Sequence, residues 1–439
     1  MRKYLFVDNF RGFDNAYVPI LDVNFLVGEN STGKTSFLGL LKLIASQRVM
    51  FHHDFGDEDV NFGNFGDMVS AHSEDRTYFT IGIAQEVSRK DKQKEIGVTA
   101  ALLTYREHEG LPRLARFTAT LNDREISLKL DGGTVWYRAS AAIFGPDLRI
   151  DDVVRKVMPR WRREHAARDF EYHKLVLPSG LDNAPGLAFP LSWVLHKIAG
   201  ETFKKSGGMP LLGADFGPDF VWVAPIRTKP RRTYDELRIE FSSEGLHTPY
   251  LIRRILSSKT DAGRFLKSIR AVGAASKLFQ SVEIRKFGDD VTAPFEVDIV
   301  LDQKALNLST VGYGVSQSLP VLVELLWRPK GSWFAVQQPE IHLHPRAQAA
   351  LGDVLFELAV TESKRFLIET HSDFTIDRFR LNCRKKLPAK PSSQILFFER
   401  KQKHNTVKAI KIDKNGEFGA QPSAYRKFFV KEELRLIGM

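Results

Sequence analysis

The segment GENSTGKTS, residues 28–36, constrains the fold of this 439-residue chain more than any other feature. It matches the pattern G-x-x-x-x-G-K-[ST] in full and follows a short apolar stretch, VNFLV, that is typical of a strand. A helical pattern comes next, in which four apolar residues between 37 and 44 share one face. A strand that turns through such a loop into a helix is typical of a phosphate-binding loop. The sequence therefore predicts an α/β protein that binds a nucleotide.

The residue types in this loop suit phosphate binding. Two glycines allow the backbone to curl, so that successive N–H groups and the helix N-terminus face the phosphates. The lysine can bridge the terminal phosphates, and the threonine hydroxyl can bind Mg²⁺. A chance glycine turn before a helix is the alternative, but it explains neither the full motif nor its context. We predict that ATP is contacted by Gly28, Glu29, Asn30, Ser31, Thr32, Gly33, Lys34, Thr35 and Ser36.

Strand-like stretches dominate the chain up to about residue 140. Two lie before the phosphate loop, KYLFVDNF and LDVNFLVG, and the second of these ends at its first glycine. Four follow the loop: RTYFTIGIAQ, GVTAALLTYRE, RFTATLN and REISLKLDGGTVWYR. The last four are joined by short links, which is typical of an antiparallel meander. Residues 145–220 are instead rich in proline and arginine and compatible with helices, which indicates a mainly helical insertion.

Strands and helices alternate from residue 221 onward. The predicted strands are DFVWVAPI, FEVDIVLD, WFAVQ and RFLIET, and the predicted helices are HTPYLIRRILSS, the end of GYGVSQSLPVLVELLWR, PRAQAALGDVLFELAVTE and DFTIDRFRLN. This alternation predicts a mixed or largely parallel sheet that binds its ligand at the carboxyl ends of the strands. We therefore divide the chain into an N-terminal lobe (1–144), a helical insertion (145–220) and a C-terminal lobe (221–439).

Three motifs in the C-terminal lobe lie where such a sheet binds nucleotide. STVGYGVSQSLPVLVELL (309–326) places a glycine- and serine-rich turn before a helix, and it could offer backbone N–H groups and the Ser316 hydroxyl to a second phosphate group. FAVQQPEIHLHP (334–345) follows, and RFLIETHSDF (365–374) places His371 directly after the next strand. The structural alternatives are a plain helix-entry turn for the glycines and a helix-capping neighbourhood for the histidine.

Together with VWVAPIRTKPRRTY (221–234), these motifs resemble the ABC-type ATPases of the overcoming-lysogenization-defect and anti-phage AAA-family group, relatives of DNA-repair head domains. The resemblance covers residues 1 to about 105 and 221–439. It implies a P-loop NTPase fold of the ABC-ATPase type, and heads that form a homodimer or higher homo-oligomer with ATP sandwiched between them. It also implies a switch histidine, His371, and contacts to the partner's γ-phosphate from Gly312, Gly314, Ser316 and Gln317.

The sequence departs from these relatives at the end of the strand WFAVQ. Relatives place a magnesium-shell carboxylate there and often a general base beside it, where this chain has Gln337 and Gln338. An amide oxygen can hold a metal-bound water but cannot accept its proton. We expect Gln337 and Thr35 to lie around Mg²⁺. Slow or partner-gated hydrolysis would then involve the position of Gln338 with help from Glu340 or His371, and the opposing hypothesis is a nucleotide-binding switch that barely hydrolyses ATP.

The remaining metal candidates are less specific. ABC-type relatives usually carry a magnesium-contacting glutamine in the loop after the first helix, and residues 52–76 contain none, so Asn64 or Asp67 could replace it. His342 and His344 are spaced two apart, but in the relatives they belong to the loop after the strand. We predict a structural role for both histidines.

Charge and composition limit the partners. Basic residues outnumber acidic ones, 64 to 53, and the excess is clustered in RKVMPRWRREHAAR (155–168), RTKPRRTY (227–234) and RKKLPAKP (384–391). Each cluster alone is typical of a solvated helix face, but together they favour nucleic acid or a nucleic-acid-handling partner. No apolar run reaches the roughly 20 residues of a membrane span. We expect a cytoplasmic protein without a membrane partner, and the single cysteine, Cys383, excludes an internal disulfide.

The resemblance suggests a biological role. The stretch after His371 is too short and too poor in carboxylates for the Toprim nuclease domain of overcoming-lysogenization-defect proteins. We therefore expect the sensor or regulatory ATPase of an anti-phage system whose nuclease is a separate polypeptide. The alternatives are a DNA-repair-type clamp that grips DNA when ATP closes it, and a scaffold whose oligomer is held together by nucleotide.

Overall fold

The computed structural model describes residues 1–51, 55–88, 96–121, 124–131, 134–141, 149–166, 173–176, 216, 220–235, 240–290, 292–420 and 425. The chain forms two compact units. The first comprises Met1–Leu21, Glu29–Pro218 and Phe398–Ala409, and the second comprises Asp22–Gly28, Asp219–Phe397 and Ile410–Met439. Within the described ranges, no helix is long and apolar enough to cross a membrane.

Strands and helices are numbered in chain order. The strands are β1 (Lys3–Asp8), β2 (Ala16–Ile20), β3 (Val23–Gly28), β4 (Tyr78–Ser88), β5 (Ile96–His108), β6 (Leu111–Leu121), β7 (Arg124–Asp131), β8 (Thr134–Ala141), β9 (His173–Val176), β10 (Phe220–Val223), β11 (Ser281–Lys286), β12 (Phe295–Leu301), β13 (Lys304–Asn307), β14 (Trp333–Gln337), β15 (Arg365–Glu369), β16 (Ser393–Lys401) and β17 (His404–Ile412). The helices are α1 (Lys34–Ala45), α2 (Arg48–Phe51), α3 (Phe65–Met68), α4 (Ile150–Asp152), α5 (Met158–Ala166), α6 (Thr248–Ser257), α7 (Ala262–Ser276), α8 (Tyr313–Trp327), α9 (Pro345–Thr361) and α10 (Asp373–Cys383).

The first unit is built on an eight-stranded sheet in the order β2-β1-β4-β5-β6-β7-β8-β9. All of its neighbouring strands pair antiparallel. One face is covered by α4 and α5, which a π-helical turn joins, and Trp161 and Met158 pack there against Phe6 and Leu102. This sheet confirms the predicted antiparallel β lobe. Most of the predicted insertion, residues 145–220, lies outside the described residues.

The second unit contains the strands that carry the motifs. Within the six-stranded sheet β10-β14-β15-β3-β16-β17, the first four strands are parallel. Every residue of β14 is buried, as expected for a parallel strand covered on both faces. The carboxyl ends of β3, β14 and β15 therefore lie at one edge, where open α/β sheets bind ligands. The predicted α/β P-loop NTPase fold of the ABC-ATPase type, with a parallel core, is confirmed.

One strand was assigned to the wrong sheet. FEVDIVLD forms β12, but it pairs antiparallel with β11 and β13 in a separate three-stranded sheet. The two residues between β12 and β13, Asp302 and Gln303, both have positive φ (46° and 62°). A two-residue turn with this backbone closes a hairpin, so it forces antiparallel pairing. Helix α7 was not predicted at all.

Candidate nucleotide site

The phosphate loop has the backbone that its glycines predict. Strand β3 ends at Gly28, and α1 begins at Lys34. Ser31 and Gly33 have left-handed φ values of 61° and 95°. A Cβ on Gly33 would lie 2.5 Å from a ring carbon of Phe13, so both the space and the backbone angle at this position require glycine.

The charged and polar side chains of the loop contact its own carbonyl groups. The Lys34 ammonium donates to the Glu29 carbonyl oxygen at 2.8 Å, and the Thr32 hydroxyl donates to the same oxygen at 2.7 Å. From outside the loop, Arg400 donates to the Ser31 carbonyl oxygen at 3.0 Å. Lys34 is buried, so its positive charge lies inside the loop that phosphate groups are predicted to occupy.

A buried carboxylate lies beside the first of the two glutamines. Gln337 and Glu369 are register partners at the ends of β14 and β15. The Gln337 amide donates to Glu369 Oε2 at 3.1 Å, and the Gln338 backbone N–H donates to the Glu369 carbonyl oxygen at 2.7 Å. We did not predict Glu369 from the sequence, although its place at the end of the strand RFLIE was a usable signal. The edge that lacks a carboxylate on β14 therefore has one on β15.

Glu340 and the backbone of His371 are in direct contact. The Glu340 Oε1 atom accepts a hydrogen bond from the His371 backbone N–H at 2.6 Å, and the residue as a whole is 9% exposed. Burial raises the pKa of Glu340, while the His371 N–H, the Thr370 hydroxyl and the Arg227 charge oppose that rise. A carboxylate whose pKa is raised is a stronger base in the neutral range. The structure thus joins two of the predicted catalytic residues through the segment that follows β15, and the His371 side chain is exposed.

The glycine- and serine-rich turn leads into α8, with Gly312 at the N-cap. Gly312 is exposed, and a Cβ there would have no atom within 4 Å. A Cβ on Gly314 would meet the His342 carbonyl oxygen at 2.9 Å, so that glycine is required by packing. Ser316 and Gln317 are buried at 5% and 7% exposure. Contact of these four residues with a partner's γ-phosphate stays a prediction.

The other metal candidates have structural contacts. His344 is the N-cap of α9, and the His342 ring packs 5.6 Å from the Tyr313 ring. Asn64 and Asp67 form the capping box of α3, in which each side chain accepts from the other's backbone N–H at 3.1 Å. No group of three or more His, Cys, Asp or Glu side chains is arranged to hold a metal ion in the described part of the chain.

Several basic side chains of the three basic clusters form ion pairs or hydrogen bonds within the protein. In the first, Arg160 pairs with Glu125, and Arg162 pairs with the buried Asp8 at 2.7 Å. The second contains the buried Arg227. In the third, Arg384 pairs with Glu417 at 3.1 Å, and Lys390 donates to the Cys383 carbonyl oxygen at 2.6 Å. These clusters therefore offer fewer free cations to a polyanion than the sequence suggested.

Residues 1–105 and 232–376, more than half of the chain, match the family described as AAA ATPase domain (AAA_15). The chain belongs to this family. The predicted class, an ATP-binding ATPase, is confirmed for this AAA ATPase domain protein, and nucleotide with Mg²⁺ is the usual requirement of such ATPases. The match does not distinguish the overcoming-lysogenization-defect group from other members. No curated protein matches the sequence.

Several solved structures are distantly similar to this AAA ATPase domain protein. An Smc head bound to the C-winged helix domain of ScpA has a TM-score of 0.44 at 10% identity, covering 93% of this chain and 98% of that one. The SMC head domain from Thermotoga maritima has a TM-score of 0.37 at 12% identity, with the same coverage. An Smc head with an extended coiled coil, bound to the C-terminal domain of ScpA derived from Pyrococcus furiosus, has a TM-score of 0.42 at 9% identity. This match covers 99% of this chain and 100% of that one. These scores are too low to support a functional inference.

Proposed function

We propose that this protein hydrolyses ATP slowly or under the control of a partner, with Glu340 as the general base. The observation that carries the proposal is the buried Glu340 carboxylate, hydrogen-bonded to the backbone of His371 at 2.6 Å. Neither Gln337 nor Gln338 can accept a proton, so base catalysis has to come from another group. Burial gives Glu340 the raised pKa that suits this task.

Magnesium fits the donor set at the end of β14 and β15. A carboxylate and an amide, Glu369 and Gln337, are hydrogen-bonded there, and oxygen ligands are those that Mg²⁺ prefers. Bound magnesium would neutralise charge on the phosphate groups. In our proposal Gln337 and Glu369 would hold the ion, and Glu369 would contribute the negative charge that Gln337 lacks.

The decisive experiment measures phosphate release with Mg²⁺-ATP in single-turnover conditions. Glu340→Gln should lower the rate by about 10²- to 10⁴-fold, the usual contribution of a general base, while ATP affinity stays within a few-fold. Lys34→Ala should instead abolish ATP binding, because it removes the charge inside the phosphate loop. If Glu340→Gln retains full turnover, Glu340 is not the base. If the native protein binds ATP but hydrolyses it no faster than Lys34→Ala does, the nucleotide-switch hypothesis is correct.

We propose a homodimer for the ATP-bound form. The support is local: Gly312 is exposed with open space around it, and the neighbouring Tyr313 side chain is 58% exposed. Both residues precede or begin α8, where the resemblance places the contact with a partner's γ-phosphate. In the presence of ATP, light scattering should show the Glu340→Gln variant at twice the mass of the monomer. The Lys34→Ala variant should stay monomeric under the same conditions.

For the biological role, we propose the regulatory ATPase of an anti-phage system with a separate nuclease. The support is the order of the motifs in the sequence. Expressed with its neighbouring reading frames, the native protein should reduce phage plaque formation, and Lys34→Ala should not. Equal protection by both forms would contradict a role for nucleotide, and no protection by either would contradict the defence role.

A nucleic-acid clamp is the second candidate, and one surface of the second unit favours it. Helix α7 contains no acidic residue, and Arg264, Lys267 and Arg270 are exposed along it, with Lys277 at its C-cap. Arg346 donates to the Ala275 carbonyl oxygen at 3.4 Å, which adds a cation beside the helix. Between Arg270 and Lys277, the small residues Ala271, Ala274 and Ala275 are exposed.

The clamp hypothesis predicts binding of duplex DNA that weakens with salt. Lys267→Glu with Arg270→Glu should reduce the affinity at least tenfold and flatten the salt dependence. Lys401→Glu with Lys403→Glu changes the net charge by the same amount at an exposed site outside α7 and outside the three basic clusters, and it should have a smaller effect. Equal losses in the two variants would point to net charge alone, and absence of binding by the native protein would exclude the clamp.

A further inference from the structure

Arg227 is a buried arginine that contacts the turn after β14. It lies four residues after β10 and is 4% exposed. Its Nη2 atom donates to the Gln337 carbonyl oxygen at 3.0 Å and to the Gln338 carbonyl oxygen at 3.4 Å. A single guanidinium therefore holds the backbone of both residues that replace the expected carboxylates.

The turn that Arg227 contacts is conformationally strained. Gln338 has a φ of 43°, in the left-handed region that a residue with a side chain adopts rarely. Such a backbone persists where surrounding contacts over-determine it. Gln338 has two of these: its N–H donates to the Glu369 carbonyl oxygen, and its own carbonyl oxygen accepts from Arg227. Arg227 thus fixes the direction in which the chain leaves β14 toward Glu340.

The remaining donors of Arg227 are not used by the described part of the chain. Nε and Nη1 are buried without a hydrogen-bond partner there, and so is Oε2 of Glu340. Burying a charged group is costly, so the Coulombic attraction between Arg227 and the buried Glu340 carboxylate favours the charged form of both side chains. The two side chains therefore interact electrostatically inside a region that excludes water.

We propose that Arg227 is a positioning residue for ATP hydrolysis, which holds the Gln337–Gln338 turn and supports the buried Glu340 carboxylate. This inference rests on the proposed function, because Glu340 is the base there. Arg227 makes no contact with the reacting atoms in this role and acts through Glu340. The neutral glutamines are compatible with it, because Arg227 contacts their backbone carbonyl oxygens.

The test combines Arg227→Met, Glu340→Gln and the double variant in single-turnover assays. Arg227→Met should slow hydrolysis by about 10- to 100-fold with ATP affinity nearly unchanged, because the Gln337–Gln338 turn loses its guanidinium and the Glu340 carboxylate loses an opposite charge. The double variant should be no slower than Glu340→Gln alone, because the two residues act as one unit. Arg227→Lys keeps the charge but not the planar geometry, so it should recover part of the rate.

A matched control separates positioning from general stability. Arg365 lies at the opposite end of β15, where it pairs with Asp22 at 3.6 Å, and Arg365→Met should keep hydrolysis within about threefold. Thermal unfolding of every variant accompanies the assay, and Arg227→Lys remains informative if Arg227→Met does not fold. Full activity of a folded Arg227→Met, equal losses in the Arg365 variant, or additive losses in the double variant would each overturn the inference. Full activity of Glu340→Gln would instead overturn the proposed function.

Discussion

Replacing Gln337 by glutamate restores the carboxylate that relatives carry at the end of this strand, but the structure predicts a cost. The Gln337 amide donates to Glu369 Oε2 at 3.1 Å. In Gln337→Glu, two carboxylates would face each other at that distance, and the hydrogen bond would be lost. Without a divalent cation, the variant should be less stable than the native protein.

The variant can either keep both carboxylates charged or protonate one of them, and the response with the lower free-energy cost sets the loss of stability. Two unit charges 3.1 Å apart repel by about 5 kcal/mol at an effective dielectric constant of about 20. Holding one of the carboxyl groups protonated at pH 7, against an ordinary pKa of about 4.3, costs about 4 kcal/mol and restores a hydrogen bond. Protonation is the cheaper response. We therefore expect a destabilisation of up to about 4 kcal/mol at pH 7, falling to about 1 kcal/mol at pH 5.

Thermal unfolding in EDTA measures this cost directly. At pH 7 the midpoint of Gln337→Glu should lie roughly 10 °C below that of the native protein, and the gap should narrow at pH 5 or on adding Mg²⁺. The exchange variant Gln337→Glu with Glu369→Gln is the matched control, because it again pairs one amide with one carboxylate. Its stability should approach that of the native protein. A Gln337→Glu protein as stable as the native one in EDTA at pH 7 would refute the reasoning.

Two further predictions concern single residues. Gly314→Ala should destabilise the protein by about 1–3 kcal/mol, because its Cβ would meet the His342 carbonyl oxygen at 2.9 Å, whereas Gly312→Ala has open space and should cost less than about 1 kcal/mol in denaturant titrations. Burial lowers the pKa of His165, which lies between two threonine hydroxyls, to about 3. The unfolded chain, with an ordinary pKa near 6.5, then binds the extra proton, so stability is complete above pH 6.5 and falls by about 2 kcal/mol by pH 5. His165→Gln should be less stable at pH 7.5 but should lose less between pH 7.5 and pH 5, and parallel pH profiles would contradict this.

The parts of the fold that were predictable are those governed by local sequence. The phosphate-loop pattern spans eight consecutive residues, and Gly33 illustrates its local origin, because the left-handed φ and the nearby Phe13 ring allow only glycine there. Strands β14 and β15 were recognisable because both are short apolar runs buried on two faces. Their parallel pairing followed from the single helix between them, α9.

Other features depend on which strands meet, and a single sequence does not state that. An apolar run such as FEVDIVLD is compatible with a parallel and with an antiparallel sheet. The positive φ values at Asp302 and Gln303, which form a hairpin turn, determine that the pairing is antiparallel. Helix α7 buries Phe265, Ile269 and Val272 at helical spacing, but the glycines and alanines around them weaken the pattern. In the sequence Arg227 lies within a basic cluster and within the stretch VWVAPIRTKPRRTY, and its proposed positioning role follows only from its burial and its contacts.

The proposed hydrolysis is compatible with the neutral glutamines at the end of β14. Because β14 and β15 are parallel and in register, a carboxylate can move from one strand to the next and stay at the same edge. A carboxylate on β15 has different neighbours from one on β14. Glu369 is followed within two residues by His371, whose backbone N–H binds Glu340. In our proposal, a shift of residues 369–371 would therefore move Glu369, the carboxylate proposed for Mg²⁺, and alter the backbone contact to Glu340, the proposed base. This coupled movement is the one that we propose for partner-gated hydrolysis.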